Sequence, residues 1–150
     1  MRILFLVLVL SSCSAAFDES EARKEILKLH ELQRTLHVEE RAAEFAALID
    51  GIVSVNRGLV TQATHEENVD RMTNYFNTVD FVKWDDINPP VIRFSDDGSL
   101  AYTIVEKEVI VKYMNEHKEM LLDTTIFAWT AIYRKQDDNW QIENITSTNQ

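Results

Sequence analysis

The chain has 150 residues, a length typical of one domain that buries its own core. Hydrophobic residues make up 45% of it and charged residues 27%, which indicates a globular rather than a disordered protein. The net charge of −10 disfavours nucleic acid as a partner and disfavours direct docking on anionic lipid, because no basic surface is available to neutralise phosphates. With only three glycines and two prolines, we expect long regular elements and few tight loops.

The amino terminus has the composition of an export signal. Met1 and Arg2 precede the apolar run Ile3–Leu10, and small residues follow at Ser11–Ala16. The apolar run is far shorter than the roughly 20 residues that a membrane-spanning helix needs. Cys13 is the one cysteine of the chain, which excludes a disulfide within the chain.

The order Leu10-Ser11-Ser12-Cys13 resembles a bacterial lipobox, with an apolar residue three positions before the cysteine and small residues between. The resemblance implies a signal peptide at 1–12, lipidation of Cys13, a lipid-anchored tether at 13–19 and a folded domain at 20–150. Multiple acyl chains anchor a protein stably, so the membrane contact would run through the lipid alone. The alternative is ordinary export with cleavage near Ala15 or Ala16, which gives a periplasmic or secreted protein.

Three helices are predicted in the first half of the chain. Asp18 and Glu21 have capping-box spacing, so the first helix begins near Glu19 and runs to about His37. Its expected apolar stripe is Ile26, Leu29, Leu32 and Leu36. The second helix covers Arg41–Ile49, and the third follows the capping box of Thr64 and Glu67 as far as Phe76.

Strands dominate the rest. Short extended pieces are predicted at Ile52–Val55, Leu59–Val60, Phe81–Trp84 and Val91–Phe94. Three long antiparallel strands follow at Leu100–Met114, Leu121–Lys135 and Trp140–Ser147. The middle strand alternates Phe127, Trp129, Ala131 and Tyr133 on one face with Ile126, Ala128, Thr130 and Ile132 on the other. Because both faces are largely apolar, we expect this strand to be covered on both sides.

Several segments resemble the nuclear transport factor 2-like superfamily, in particular its SnoaL-type, polyketide-cyclase-like branch. They are the turn into a strand at Asp97–Tyr102, the strand Ala128–Lys135, the segment Asn139–Ile142 and the closing Ser147-Thr148. The resemblance covers about residues 21–148. It implies an α+β, cone-shaped fold in which a curved antiparallel sheet wraps around the N-terminal helices and encloses an apolar pocket. It also implies homodimers that form through the outer face of the sheet.

His37 is the candidate catalytic residue, because it ends the first helix near the expected mouth of the pocket. An imidazole there would act as a general base or hydrogen-bond a ligand, and the alternative is a histidine that interacts with helix-end carbonyls. Asp50 would pair with a pocket histidine or simply end a helix. Glu106 and Glu108 share one strand face. If that face lined the pocket, the two carboxylates would have raised pKa values and could do acid–base work, but the neighbouring Lys112 indicates that it is exposed to solvent.

The candidate ligand-binding residues are histidine and aromatic side chains: His37, Tyr75, Trp84, Trp129 and Tyr133. The alternative for the aromatic members is plain core packing. The four histidines lack the spacing of metal ligands, and no phosphate-binding loop is found, so we expect neither a metal nor a cofactor.

From these patterns we predict an envelope-located, dimeric domain that binds an apolar small molecule without catalysis. One alternative is a small isomerase, cyclase or hydrolase that acts on an apolar substrate with His37 as general base. A second is a protein-interaction module whose pocket is filled by its own side chains. The fold does not decide among them, because one scaffold supports all these functions.

Overall fold

A computed structural model describes residues 17–150, so the predicted signal peptide and the lipidation site at Cys13 lie outside the described residues. In chain order the elements are α1 (Glu19–Val38), α2 (Ala42–Leu48), β1 (Val53–Asn56), β2 (Leu59–Thr61), α3 (His65–Phe76), β3 (Asp80–Asp86), β4 (Val91–Phe94), β5 (Leu100–Met114), β6 (Met120–Gln136) and β7 (Asn139–Asn149). None of the helices within this range is long and apolar enough to span a membrane.

The seven described strands form one curved sheet in the order β2-β1-β7-β6-β5-β3, with β4 also paired to β5. The predicted α+β class, with a curved sheet against N-terminal helices, is therefore confirmed. The sheet is mixed rather than wholly antiparallel, since β1 runs parallel to β7 with Val53 opposite Asn144. The remaining described strand pairs are antiparallel, and β5 and β6 pair along their whole length from Leu100↔Arg134 to Met114↔Met120.

Helix α1 begins where the capping pattern predicts, because the side chain of Asp18 accepts a hydrogen bond from the backbone N–H of Glu21 at 3.1 Å. Its buried face differs from the expected leucine stripe. Leu32 is exposed and Leu29 is only half-buried, whereas His30, Gln33 and His37 are buried. Ile26 and Leu36 of the expected stripe are buried, and the rest of the buried face is formed by Ala22, His30, Gln33 and His37, which places three polar side chains inside.

The start of the fold lies slightly before the predicted boundary at residue 20. The ring of Phe17 packs on Phe94 with centroids 5.4 Å apart, and Asp18 caps α1. Gly98 has φ +68°, and a Cβ at this position would collide with the Phe17 ring. The last residues assigned to the tether, Phe17 to Glu19, are therefore part of the packed domain.

The two faces of β5 and β6 have different environments. The inner face packs against the helices and contains the fully buried Ala131 and Tyr133 together with the partly buried Trp129. The outer face carries Tyr102, Ile104 and Ile132, which are exposed in the single chain. The apolar alternation predicted for the middle strand is present, but helices cover one face only.

Candidate functional site

A cavity of about 300 Å³ opens between the end of α1, the helices α2 and α3, and the inner face of the sheet. Its lining residues are mainly aromatic and aliphatic, and they also include His37, Gln33 and Ser147. The lining residues are Gln33, His37, Phe45, Tyr75, Trp84, Val109, Phe127, Trp129, Ile145 and Ser147. The volume lies at the small end of the range found for ligand pockets, which is roughly 300–1,000 Å³.

The imidazole of His37 is held in one orientation by its neighbours. Its Nδ1 lies 2.8 Å from the backbone oxygen of Gln33, one turn earlier in α1. The ring stacks on Trp84 with centroids 4.4 Å apart and an interplanar angle of 18°. Phe45 meets it edge-on at 4.3 Å, and Phe76 and Phe81 do so at 5.6 Å. These contacts leave the ring little freedom to turn.

The protonation state of His37 follows from this environment. Because a carbonyl oxygen only accepts hydrogen bonds, Nδ1 carries the proton of the neutral ring and Nε2 has a free lone pair. Burial lowers the pKa of His37 from 6.5 to about 4, against the hydrogen bond to Gln33, which raises it, while the nearby Lys107 lowers it further. At neutral pH, His37 is an uncharged hydrogen-bond acceptor.

A buried charged cluster lies against the same tryptophan. The side chain of Lys107 is 1% exposed, and its Nζ lies 3.8 Å from the centre of the Trp84 ring and 2.7 Å from Oδ1 of Asp86. The other carboxylate oxygen of Asp86 lies 2.8 Å from Nε2 of His30. The cluster therefore ties α1 to β3 and β5, and it fixes the tryptophan that supports His37.

Burial and the neighbouring carboxylates act on Lys107 in opposite directions. The pKa of Lys107 is lowered from 10.5, chiefly by burial, while Asp86 and, more weakly, Asp85 oppose this lowering. A cation over an aromatic face gains further stabilisation when it is removed from water. A protonated Lys107 places its positive charge over the Trp84 ring and beside the carboxylate of Asp86.

A second set of polar groups lies deeper in the core. The Tyr133 side chain is fully buried, and burial raises the pKa of its hydroxyl, with Thr103 and Gln33 nearby acting in the opposite direction. Within residues 17–150, the hydroxyls of Tyr133 and Thr103 and the Gln33 amide nitrogen make no hydrogen bond of ordinary geometry. These groups pack between α1 and the sheet.

The structure brings together four of the five predicted ligand-binding residues. His37, Tyr75, Trp84 and Trp129 line the cavity, while Tyr133 belongs to the core and is not among the lining residues. Tyr133 follows Trp129 by four residues on the same face of β6, and this displacement along the strand takes it out of the cavity.

Sequence reasoning missed Lys107, Gln33 and Phe45. The signal for Lys107 was present, because it alternates with Val105 and Val109 on the face of β5 that faces the core. Gln33 likewise occupies a buried helical position one turn before His37. Nothing in the sequence distinguishes Phe45 from the other apolar residues of α2.

The other acidic candidates lie outside the cavity. Asp50 is exposed near the end of α2, with His65 4.0 Å away at the surface. Glu106 accepts a hydrogen bond from Asn88 at 3.2 Å, and Glu108 pairs with Lys83, so both carboxylates belong to the outer face. Among residues 17–150, no group of three or more histidine, cysteine or carboxylate side chains is placed to hold a metal ion.

Comparison with solved structures places this architecture among known ones. A putative calcium/calmodulin-dependent kinase II association domain from Exiguobacterium sibiricum matches 89% of this chain and 97% of its own, with TM-score 0.67 and 12% identity. A ketosteroid isomerase-like protein from Erwinia carotovora atroseptica matches 87% and 97%, with TM-score 0.64 and 14% identity. A nuclear transport factor 2-like protein from Cytophaga hutchinsonii matches 84% and 96%, with TM-score 0.63 and 17% identity.

No family model matches the sequence. No curated protein matches it either. The structural matches confirm the predicted nuclear transport factor 2-like fold, and at these identities they establish the fold alone.

Proposed function

We propose that this nuclear transport factor 2-like domain binds a small apolar molecule in the cavity at the end of α1 and releases it unchanged. The observation that carries the proposal is the geometry of His37, a neutral imidazole stacked on Trp84 in the wall of a cavity of about 300 Å³. Apolar walls supply the binding free energy, and a few placed polar groups fix the orientation of the ligand.

The cavity itself supports binding over a filled interaction module. Aromatic side chains from α2, α3, β3 and β6 surround the space without closing it. A module that acts only through its surface gains nothing from such a cavity, because unfilled volume reduces packing and destabilises the fold.

The electrostatics support binding over catalysis. A general base works best when its pKa lies near the operating pH, and burial holds the pKa of His37 at about 4. The other titratable side chain that lines the cavity is Tyr75, whose pKa is raised by burial and by Asp123. Neither group is poised to take a proton from a substrate at neutral pH.

A thermal-shift screen with apolar and amphiphilic small molecules tests the proposal, using protein purified from cells that express the full chain. A ligand at a hundred times its dissociation constant stabilises the native state by about 2.7 kcal/mol. The variant Val109→Phe fills the cavity and should lose this shift, whereas Val91→Phe, at an exposed position of β4, should keep it. A shift that survives Val109→Phe would place binding elsewhere, and product detected by mass spectrometry would favour the isomerase, cyclase or hydrolase alternative.

We also propose that two copies pair through the outer face, which we define as Tyr102, Ile104, Thr130 and Ile132. Ile104 is 49% and Ile132 37% exposed, and both line a groove of about 600 Å³ between β4 and β6. Contiguous exposed apolar surface of this kind is typical of an interface. Two similar structures are described as kinase association domains, which supports self-association.

The proposed location is the bacterial cell envelope, with the domain anchored through an acylated Cys13. The support is the lipobox-like order Leu10–Cys13 together with the packed start of the domain at Phe17, three residues beyond Ser14. Membrane fractionation and mass spectrometry of the Cys13→Ser variant test this. An acylated, membrane-bound product of that variant would contradict the lipoprotein proposal. An unacylated, unanchored product of the unaltered chain, cleaved near Ala15 or Ala16, would favour the exported alternative.

A further inference from the structure

The chemistry of the cavity restricts the class of molecule that fits it, and this restriction rests on the proposed binding function. Among the described lining residues, His37 alone has a ring nitrogen with a hydrogen-bonding lone pair. The hydrogen bond of Nδ1 determines which of its two nitrogens carries that lone pair. Its Nδ1–H is used by the carbonyl of Gln33, so Nε2 remains as an acceptor. Within residues 17–150, no side chain or backbone group donates a hydrogen bond to Nε2.

The direction of this acceptor is preset. The stack on Trp84 and the edge contacts of Phe45, Phe76 and Phe81 hold the imidazole from several sides. Turning the ring over would break the hydrogen bond between Nδ1 and the backbone oxygen of Gln33. A ligand that covers Nε2 must therefore donate a hydrogen bond to it, because a buried acceptor without a donor destabilises the complex.

The surrounding wall selects for a flat apolar body. Trp129 and Phe127 present aromatic surface, and the edge of Trp84 with the aliphatic side chains of Val109 and Ile145 completes it. Aromatic faces bind other aromatic rings in offset or edge-on arrangements. The small volume suits a molecule of one or two rings.

The charge of a ligand also determines whether it fits the cavity. A carboxylate has only acceptors, so it would meet the lone pair of Nε2 with no hydrogen to share. An organic cation would lose its hydration in the cavity, and none of the described lining residues is a carboxylate that could pair with it. A neutral molecule avoids both penalties.

We infer that the cavity selects neutral, flat aromatic molecules that carry one O–H or N–H donor, as phenols and indoles do, and that this donor bonds to Nε2 of His37. The ring of the ligand lies against Trp129 and Phe127 while its donor reaches the end of α1. Ser147, Gln33 and Tyr75 carry the other polar side-chain groups of the lining and are the competing anchors.

Matched pairs of probes test the inference by isothermal titration calorimetry at pH 7 on protein from the full chain. The pairs are 2-naphthol with 2-methoxynaphthalene, and indole with 1-methylindole, in which a methyl group replaces the hydrogen atom of the donor. We expect the donor-bearing member to bind about tenfold more tightly, which corresponds to about 1.4 kcal/mol. The carboxylate 2-naphthoate should bind more weakly than 2-naphthol.

Two variants locate the anchor. His37→Phe retains an aromatic ring on Trp84 but lacks the acceptor, so it should bind both members of a pair equally. Ser147→Ala should retain the tenfold preference. Loss of the preference in Ser147→Ala, or its persistence in His37→Phe, would overturn the assignment to His37.

A measurement on the unaltered protein covers the case in which His37→Phe does not fold. The ¹⁵N NMR signal of His37 Nε2 should shift when 2-naphthol is added and stay in place with 2-methoxynaphthalene. Equal binding of both members of each pair by the unaltered protein overturns this inference and leaves the binding function standing. Absence of binding by these probes and by the whole apolar panel contradicts the binding function itself.

Discussion

His37 illustrates how a buried titratable residue links the site to the stability of the fold. Its folded pKa lies at about 4 and its ordinary value is 6.5, so the unfolded chain binds a proton between these pH values that the folded chain does not. The stabilisation that comes from keeping His37 neutral is complete above pH 6.5 and is lost as the pH falls toward 4.

We therefore expect the free energy of unfolding to fall by about 2 kcal/mol between pH 7 and pH 5 through His37 alone. Urea denaturation at a series of pH values measures this. The variant His37→Phe should lack that part of the slope, whereas His65→Phe, at an exposed position, should retain it. Parallel pH profiles for the unaltered protein and His37→Phe would contradict the assignment.

The ion pair of Lys107 and Asp86 is asymmetric, because Lys107 is 1% exposed and the Asp86 side chain is 24% exposed. Asp86→Asn leaves a buried cation without its counter-charge, and we expect a loss of about 3 kcal/mol in urea denaturation. Lys107→Met leaves Asp86 with His30 and with water, so its cost should be smaller. A larger cost for Lys107→Met than for Asp86→Asn would show that packing of the lysine stem outweighs its charge.

His37 and Lys107 differ in how well the sequence alone predicts their place in the site. His37 was recognisable from its position at a helix end, and the aromatic residues from their type. Lys107 was not singled out because a lysine in a strand is usually exposed, and only its alternation with buried valines indicated otherwise. The partner of a buried charge is set by tertiary contacts that no local pattern records.

Among the elements, helix α3 depends on its capping box for a defined start. The Thr64 hydroxyl accepts a hydrogen bond from the Glu67 N–H at 3.2 Å, and the Glu67 carboxylate accepts one from the Thr64 N–H at 2.8 Å. The backbone and side-chain bonds from Thr64 also lower the pKa of Glu67. Tyr75, which lines the cavity, projects from the far end of this helix.

We expect Thr64→Ala to reduce the free energy of unfolding by about 1 kcal/mol, the usual cost of losing an N-terminal cap. Thr73→Ala, an exposed substitution inside the same helix, should be neutral or slightly stabilising because alanine has the higher helix propensity. Thermal or urea unfolding of the two variants makes the comparison. Equal effects would show that the capping box does not contribute.

Local sequence motifs predicted the ends of several helices and strands closely. The predicted ends of β4 and β5 and the bounds of α3 are those observed, because prolines and polar turns delimit the strands and a capping box marks the start of the helix. The buried face of α1 was predicted less well, since Leu32 was expected inside and His30 is there instead. Hydrophobicity alone located the helix, whereas contacts with β3 and β5 determined its rotation.

For the whole molecule, the outer face determines the predicted state of assembly. We expect sedimentation analysis of the unaltered protein to show a dimer, and Ile104→Glu to shift it to the monomer because a carboxylate would be buried in the interface. Val60→Glu, at the exposed edge strand β2, should leave the dimer intact. A monomeric unaltered protein, or dissociation by Val60→Glu alone, would contradict pairing through the outer face.

At this scale the sequence indicated the class of fold through its order of helices and strands and through the family-like segments. It did not indicate the parallel pairing of β1 with β7, because this contact joins residues about ninety positions apart. The side chain of Asn144 donates to the backbone oxygen of Val53 at 2.7 Å across that pair. Register between distant strands depends on the complete sheet rather than on either segment.

The β1–β7 pairing also governs the order in which the cavity is completed. Ile145 and Ser147 belong to β7 and line the cavity, yet their parallel neighbour β1 is synthesised some 91 residues earlier. Contacts of such separation form late in folding, after the loop-closure entropy has been overcome. During synthesis the helices and β1 therefore exist before β7, which forms part of the cavity wall. A ligand that needs the complete cavity therefore cannot bind during the early steps of folding. A ligand bound in the cavity indicates that β7 has already paired with β1.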